Sequence, residues 1–194
     1  GDGHKRGTLL NNEATASRYR EDSDVLELEV RHRHRMKSEA QRSKFITRLQ
    51  AAQQLFHAFI NRTEAYDHPH RIALVLFGSN VELKCGFTPL FDQFRDSVDN
   101  AECDGDTCLF DAVAFARQAL VKFKEANQAA RLRILVLSDG ADTASTAKAY
   151  DVARDLRADE IVLDCVAIGQ NTDPHLPALV RLTRGLAFNP TSLR

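Results

Sequence analysis

Two short stretches of the 194-residue chain carry paired oxygens in turn-forming contexts: Asp104-Gly105-Asp106-Thr107 and Ser138-Asp139-Gly140-Ala141-Asp142-Thr143. A hydroxyl and a carboxylate held on separate loops suit a hard divalent cation such as Mg²⁺ or Mn²⁺. A third stretch, Arg31-His32-Arg33-His34-Arg35, offers guanidinium and imidazole instead. Arginine forks match carboxylate and phosphate, so this run suits an acidic partner group, a phosphate or nucleic acid. Read without a ligand, it is a solvated basic surface around a helix start. It lacks interleaved aromatics, and the net charge of −1 gives the whole molecule no pull toward nucleic acid or membrane. His32 and His34, spaced i and i+2, chelate a metal weakly unless the backbone is extended.

Other chemistries find little support. No Ser–His–Asp or Cys–His arrangement can be assembled with any specificity, and neither a G-x-G-x-x-G nor a P-loop is present. The expectation is a non-enzyme with no cofactor; an α/β enzyme stays as the alternative that a bound cofactor would reveal. Of the four cysteines, Cys85 and Cys165 sit in strand-like runs and read as small buried hydrophobes. Cys103 and Cys108 flank a polar loop, where either a disulfide or two free thiols fit the spacing.

The elements that must hold these loops follow from periodicity. Residues 1–23 are polar and unpatterned, a flexible arm, and 24–194 form one domain. Val25–Val30 alternates like a strand. Seven Lys or Arg lie between Arg31 and Gln50 against one acid, Glu39. Phe45, Leu49, Ala52, Phe56 and Phe59 then step by four and three, predicting a helix that ends by Asp67–His70. Residues 71–80 read as a strand covered on both faces, and 81–88 as an edge strand joined to it through Gly78–Asn80. Pro89 starts a short helix with Leu90, Phe91, Phe94 and Val98. A longer helix carries Leu109, Val113, Ala116, Leu120 and Phe123. Residues 131–140 and 160–169 are buried strands, each followed by a helix (Thr143–Ala158 and Pro174–Thr183), with a last short strand at Leu186–Pro190. The alternation predicts an α/β fold: a doubly wound, mostly parallel six-stranded sheet with helices on both faces. Ligands of such sheets bind at loops beyond the strands' carboxyl ends, where both oxygen-bearing loops fall.

At those loops the chain resembles the von Willebrand factor type A (vWA) family. Residues 105–113 (GDTCLFDAV) are similar to that family's Gly-Gly-Thr-x-Leu-Tyr-Asp-Ala-Leu, and 137–143 (LSDGADT) to its Leu-Thr-Asp-Gly-x-Asp-Thr. LFGSNV fits its Phe-Ser-x-x-Val turn, and element order fits over about residues 24 to 192. The resemblance implies a Rossmann-like fold and a protein-binding role. It also implies a metal-ion-dependent adhesion site, with Thr107 as the second-loop hydroxyl and Asp139 as the third-loop carboxylate. The family's first loop reads Asp-x-Ser-x-Ser. Here Arg31, Arg33 and Arg35 stand at those positions when the register is set on Met36, and no Asp, Ser or Thr lies between Val25 and Met36.

The expectation is therefore a degenerate site without the family's metal, with an arginine against Asp139 presenting a guanidinium to an acidic group of a protein partner. The expected partner face comprises Arg31, Arg33, Arg35, Asp106, Thr107, Asp139 and Asp142. Thr107 and Asp139 are metal ligands only if a metal is retained. Alternatives remain. Glu27 or Glu29 could supply the missing ligand for Mg or Mn, or pair with the arginines. Thr107 and Asp139 also read as inherited cap and turn residues, Asp111 as structural, and Asp142 as a turn or cap. Residues 31–48 could bind phosphate or nucleic acid. QLFHAF, CLFDAV and RILVLSDGADTAS are similar to intracellular fungal vWA domains beside ubiquitin-conjugating modules. A cytoplasmic protein of the ubiquitin pathway is the expectation, with no membrane partner.

Overall fold

A computed structural model describes residues 47–66, 69–102, 105–168 and 171–189. The predicted arm, the strand Val25–Val30, the arginines at 31, 33 and 35, His32, His34, Cys103 and Asp104 lie outside the described residues.

Helix α1 (Arg48–Ala65) begins with a capping box: Gln50 N–H donates to Thr47 Oγ1 at 3.1 Å, and Thr47 N–H donates to Gln50 Oε1 at 2.9 Å. Its buried face is not centred on the Phe56–Phe59 stripe. Ala51, Ile60 and Thr63 are buried, whereas Phe59 is 41% exposed. The helix turns so that Ile60 and Phe56 meet Leu74, Cys85, Phe94 and Val98, with the rings of Phe56 and Phe94 edge to face at 6.0 Å.

Strands β1 (Ile72–Phe77) and β2 (Val81–Thr88) form an antiparallel hairpin. Its turn is closed by Gly78 N–H donating to the Asn80 carbonyl at 3.0 Å. Helix α2 (Phe91–Asp99) buries Phe94 and Val98 against this hairpin. Arg95 ties α2 to α1 through Glu64, at 2.5 Å.

Helix α3 (Leu109–Ala126) buries Leu109, Phe110, Ala112, Val113 and Leu120. It packs on β1 and on β3 (Arg133–Ser138), and so spans both pieces of sheet. Helix α4 (Ala149–Ala158) is the crossover from β3 to β4 (Val162–Ala167), which pair in parallel from Arg133↔Val162 to Ser138↔Ala167. After helix α5 (Leu176–Leu182), β5 (Ala187–Phe188) joins β4 in parallel. The main core fills the space between α3, β3, β4, α4 and α5, with Leu109, Leu156, Leu163 and Leu176 fully buried.

The α/β class is as read from the sequence. Five strands are described, as a two-stranded piece β1-β2 and a three-stranded piece β3-β4-β5. Among the described residues no helix is long and apolar enough to cross a membrane. The fourth helix begins at Ala149, six residues later than the periodicity predicts. Thr143–Lys148 is withheld from it because those residues pack around the start of α3.

Candidate functional site

The loops at the carboxyl ends of β1 and β3 converge on the N-terminus of α3. The first is held by its backbone: Cys108 N–H donates to the Gly78 carbonyl at 3.0 Å, and Asp106 N–H to Ser79 Oγ at 3.0 Å. Gly105 makes this approach possible. Its φ is +33°, and a Cβ there would stand 2.1 Å from Ser79 Oγ. Asp106 itself is exposed.

Thr107 is stitched to the loop after β3. Its N–H donates to Thr143 Oγ1 at 2.9 Å, and its carbonyl accepts from Thr143 N–H at 2.9 Å and Ala144 N–H at 3.2 Å. Thr107 Oγ1 takes no part in this stitching, and a side-chain carbon added at Gly140 would lie 3.8 Å from it. The hydroxyl thus faces the Asp139–Gly140 turn.

Asp142 and Asp111 work as a reciprocal pair of caps. Asp142 Oδ1 accepts from Leu109 N–H at 2.8 Å and from Ser145 Oγ at 2.5 Å. Ser145 Oγ in turn accepts from Phe110 N–H at 2.9 Å and Asp111 N–H at 3.1 Å. The first amides of α3 are therefore capped by a loop more than thirty residues away, since Cys108 at the N-cap position supplies no side-chain bond. Returning the favour, the Asp111 carboxylate accepts from Thr146 N–H at 2.9 Å and Ala147 N–H at 2.8 Å, with the Thr146 hydroxyl as a third donor. Partial burial pushes the Asp111 carboxyl up, but the Thr146 and Ala147 amides and the Thr146 hydroxyl outweigh it and hold it below its usual range. Buried Asp173 completes the bracing, accepting from Asp142 N–H at 3.1 Å and His175 N–H at 2.8 Å.

Asp139 is left facing outward, and a cation meets it. Arg48 Nη1 donates to Asp139 Oδ2 at 3.1 Å. The sequence leads one to expect an arginine against this carboxylate from Arg31, Arg33 or Arg35, which lie outside the described residues; among the described residues Arg48 is the one that meets it. The usable signal for Arg48 was its place directly after Thr47, in a Thr-x-x-Gln capping box at the end of the basic stretch.

Among the described residues, the donor set fits a divalent cation poorly. Among the described residues no group of three or more His, Cys, Asp or Glu could hold a metal ion. The carboxylates of Asp111 and Asp142 cap backbone amides, and that of Asp139 holds a guanidinium. Among the described residues, the three thiols are all buried. Cys108 is a free, buried thiol that donates to the Ser79 carbonyl, and burial followed by the charges of Asp111, Asp142 and Asp106 raises its pKa. Burial pushes Cys165 up to about 11.

A mixed α/β sheet with loops meeting at the carboxyl ends of its strands defines a Rossmann-like fold. A family model described as a von Willebrand factor type A domain matches residues 36–141. The chain belongs to the von Willebrand factor type A family. It is 30% identical over 198 residues to a probable bifunctional E2/E3 enzyme of Acanthamoeba polyphaga mimivirus, an alignment that covers all of this chain but 15% of that protein. Among solved structures, a von Willebrand factor type A protein from Catenulispora acidiphila superposes with a TM-score of 0.60 at 17% identity, covering 75% of this chain and 35% of that one. The SpRpn10 VWA domain gives 0.57 at 17% identity, covering 75% and 79%. These structural likenesses carry the fold.

Proposed function

We propose that this chain is a vWA protein-interaction module whose loop face engages its partner without the family's divalent cation. One observation carries the reading: the guanidinium of Arg48 stands 3.1 Å from Asp139, the carboxylate that by family resemblance would hold the metal. A guanidinium has five N–H donors, and one Nη1 bond to Asp139 leaves others for an acidic group on the partner. The commitment of Asp111 and Asp142 to capping supports the same reading, because it removes two neighbouring carboxylates from the pool of ligands. Thr107, with its hydroxyl turned toward the same turn, and exposed Asp106 would border the contact. Arg31, Arg33 and Arg35, expected from the sequence at the same face, lie outside the described residues. The module would bind rather than catalyse.

Isothermal titration with Mg²⁺ and Mn²⁺ tests the proposal. Heat no greater than that of a D139N variant is expected. Micromolar binding lost on D139N or T107A would overturn it and favour a metal-dependent adhesion module.

The 30% identity to a probable bifunctional E2/E3 enzyme supports a setting in the ubiquitin pathway, and with it a cytoplasmic location. The chain spans about 15% of that relative's length. The full-length protein that contains this chain is then expected to carry a ubiquitin-conjugating module and to form a ubiquitin thioester. A full-length protein with no such module would contradict this setting.

A further inference from the structure

Helix α1 opens against electrostatic preference. The N-terminus of a helix favours anions and disfavours cations. Yet the first turn of α1 holds no acid, and its first residue is Arg48. The Thr47–Gln50 capping box fixes that turn, so the side chain of Arg48 leaves the helix from a defined backbone position. It reaches a residue 91 positions away in the chain, Asp139.

The pair does little for the fold. The side chains of Arg48 and Asp139 are 64% and 49% exposed, a setting in which ion pairs contribute little stability. What the pair does change is the ligand capacity of the turn. The Thr107 hydroxyl lies 3.8 Å from where a Cβ at Gly140 would stand, beside the turn that carries Asp139, and both residues offer oxygens of the kind a hard cation takes. A metal would need an Asp139 oxygen at roughly 2.1 Å, and the guanidinium bonded to Oδ2 competes for that oxygen and repels the ion.

We infer that Arg48 is the resident cation of Asp139, and that it closes this carboxylate to divalent metal. Occupancy of Asp139 by Arg48 and by Mg²⁺ or Mn²⁺ is mutually exclusive. The inference rests on the reading above that the native face works without a metal.

The test is a Mn²⁺ titration, with free ion read by electron paramagnetic resonance, on the wild type and on R48A, R48K and R48A/D139N variants. Circular dichroism and melting confirm that each is folded. R48A is expected to bind Mn²⁺ up to about fivefold more tightly than the wild type, the most that an exposed ion pair can hold back by competition. R48K, which keeps the charge, should stay close to the wild type. Adding D139N to R48A should abolish the gain. A Mn²⁺ affinity of R48A equal to that of the wild type overturns the inference, as does a gain that survives D139N. Tight Mn²⁺ binding by the wild type, lost on D139N, is a different outcome and overturns the metal-free reading itself.

Discussion

The Asp142 carboxylate caps a helix that begins 33 residues before it, accepting the Leu109 amide at 2.8 Å, while Ser145 holds the Phe110 amide beside it at 2.9 Å. Loss of a capping side chain costs about 1–2 kcal/mol. D142A and S145A are each expected to destabilise the domain by about that amount in urea unfolding. Because Ser145 Oγ also donates to Asp142 Oδ1, the double variant should cost less than the sum. Strict additivity would show that the two act independently.

Asp111 supplies the other half of this exchange and gives it a pH dependence. Its folded pKa lies below the ordinary 3.8. Folding therefore favours the ionised carboxylate. That stabilisation is fully present above about pH 4 and is lost as pH falls through the lower folded value. D111N should cost about 1–3 kcal/mol at pH 7, the scale of a hydrogen-bonded charged acceptor. The gap to wild type should narrow at pH 3 and below. Urea unfolding at both pH values checks it; a gap independent of pH would contradict the role of the charge.

Two glycines should respond very differently to alanine. At Gly185 a Cβ would lie 1.8 Å from the Leu163 carbonyl oxygen, which belongs to the backbone of β4 and cannot step aside. G185A is expected to cost at least about 3 kcal/mol, the top of the overpacking range. At Gly105 the obstacle is the hydroxyl of Ser79, which can rotate, and the left-handed φ adds strain. G105A should cost about 1–2 kcal/mol. Melting temperatures in the reverse order would contradict these packing assignments.

Much of this was legible in the sequence where the signal is local. The step-of-four pattern through Leu109, Val113 and Leu120 placed α3, and the apolar runs placed β1, β3 and β4. The loops containing Thr107 and Asp139 were found by their motifs, and they do meet in space. What stayed hidden is long-range. Thr143–Lys148 has helical spacing, but Thr146 and Ala147 donate to Asp111 instead of continuing a helix backward from Ala149. The stripe through Phe56 and Phe59 marks a helix but not its buried face, because Phe59 and Ile60 are adjacent and both apolar; only the neighbours Leu74 and Phe94 decide which is buried. The partner of Asp139 was expected within the Arg-His-Arg-His-Arg run, which lies outside the described residues, while Arg48 occupies the carboxylate.

Exposure makes a further prediction about Arg48. Ion pairs of this kind contribute about 0–1 kcal/mol. R48A should therefore melt close to the wild type, and any effect of R48A on partner or metal binding should appear without loss of fold. Marked destabilisation would recast Arg48 as a structural residue.

This loop face is proposed to work without a divalent cation. The most direct measurement is a ¹H–¹⁵N spectrum of the labelled chain titrated with substoichiometric Mn²⁺, which broadens amides near any bound ion. Thr107, Asp139 and Gly140 are expected to lose no more intensity than exposed amides elsewhere. Selective loss at those three residues, reversed by EDTA, would contradict it.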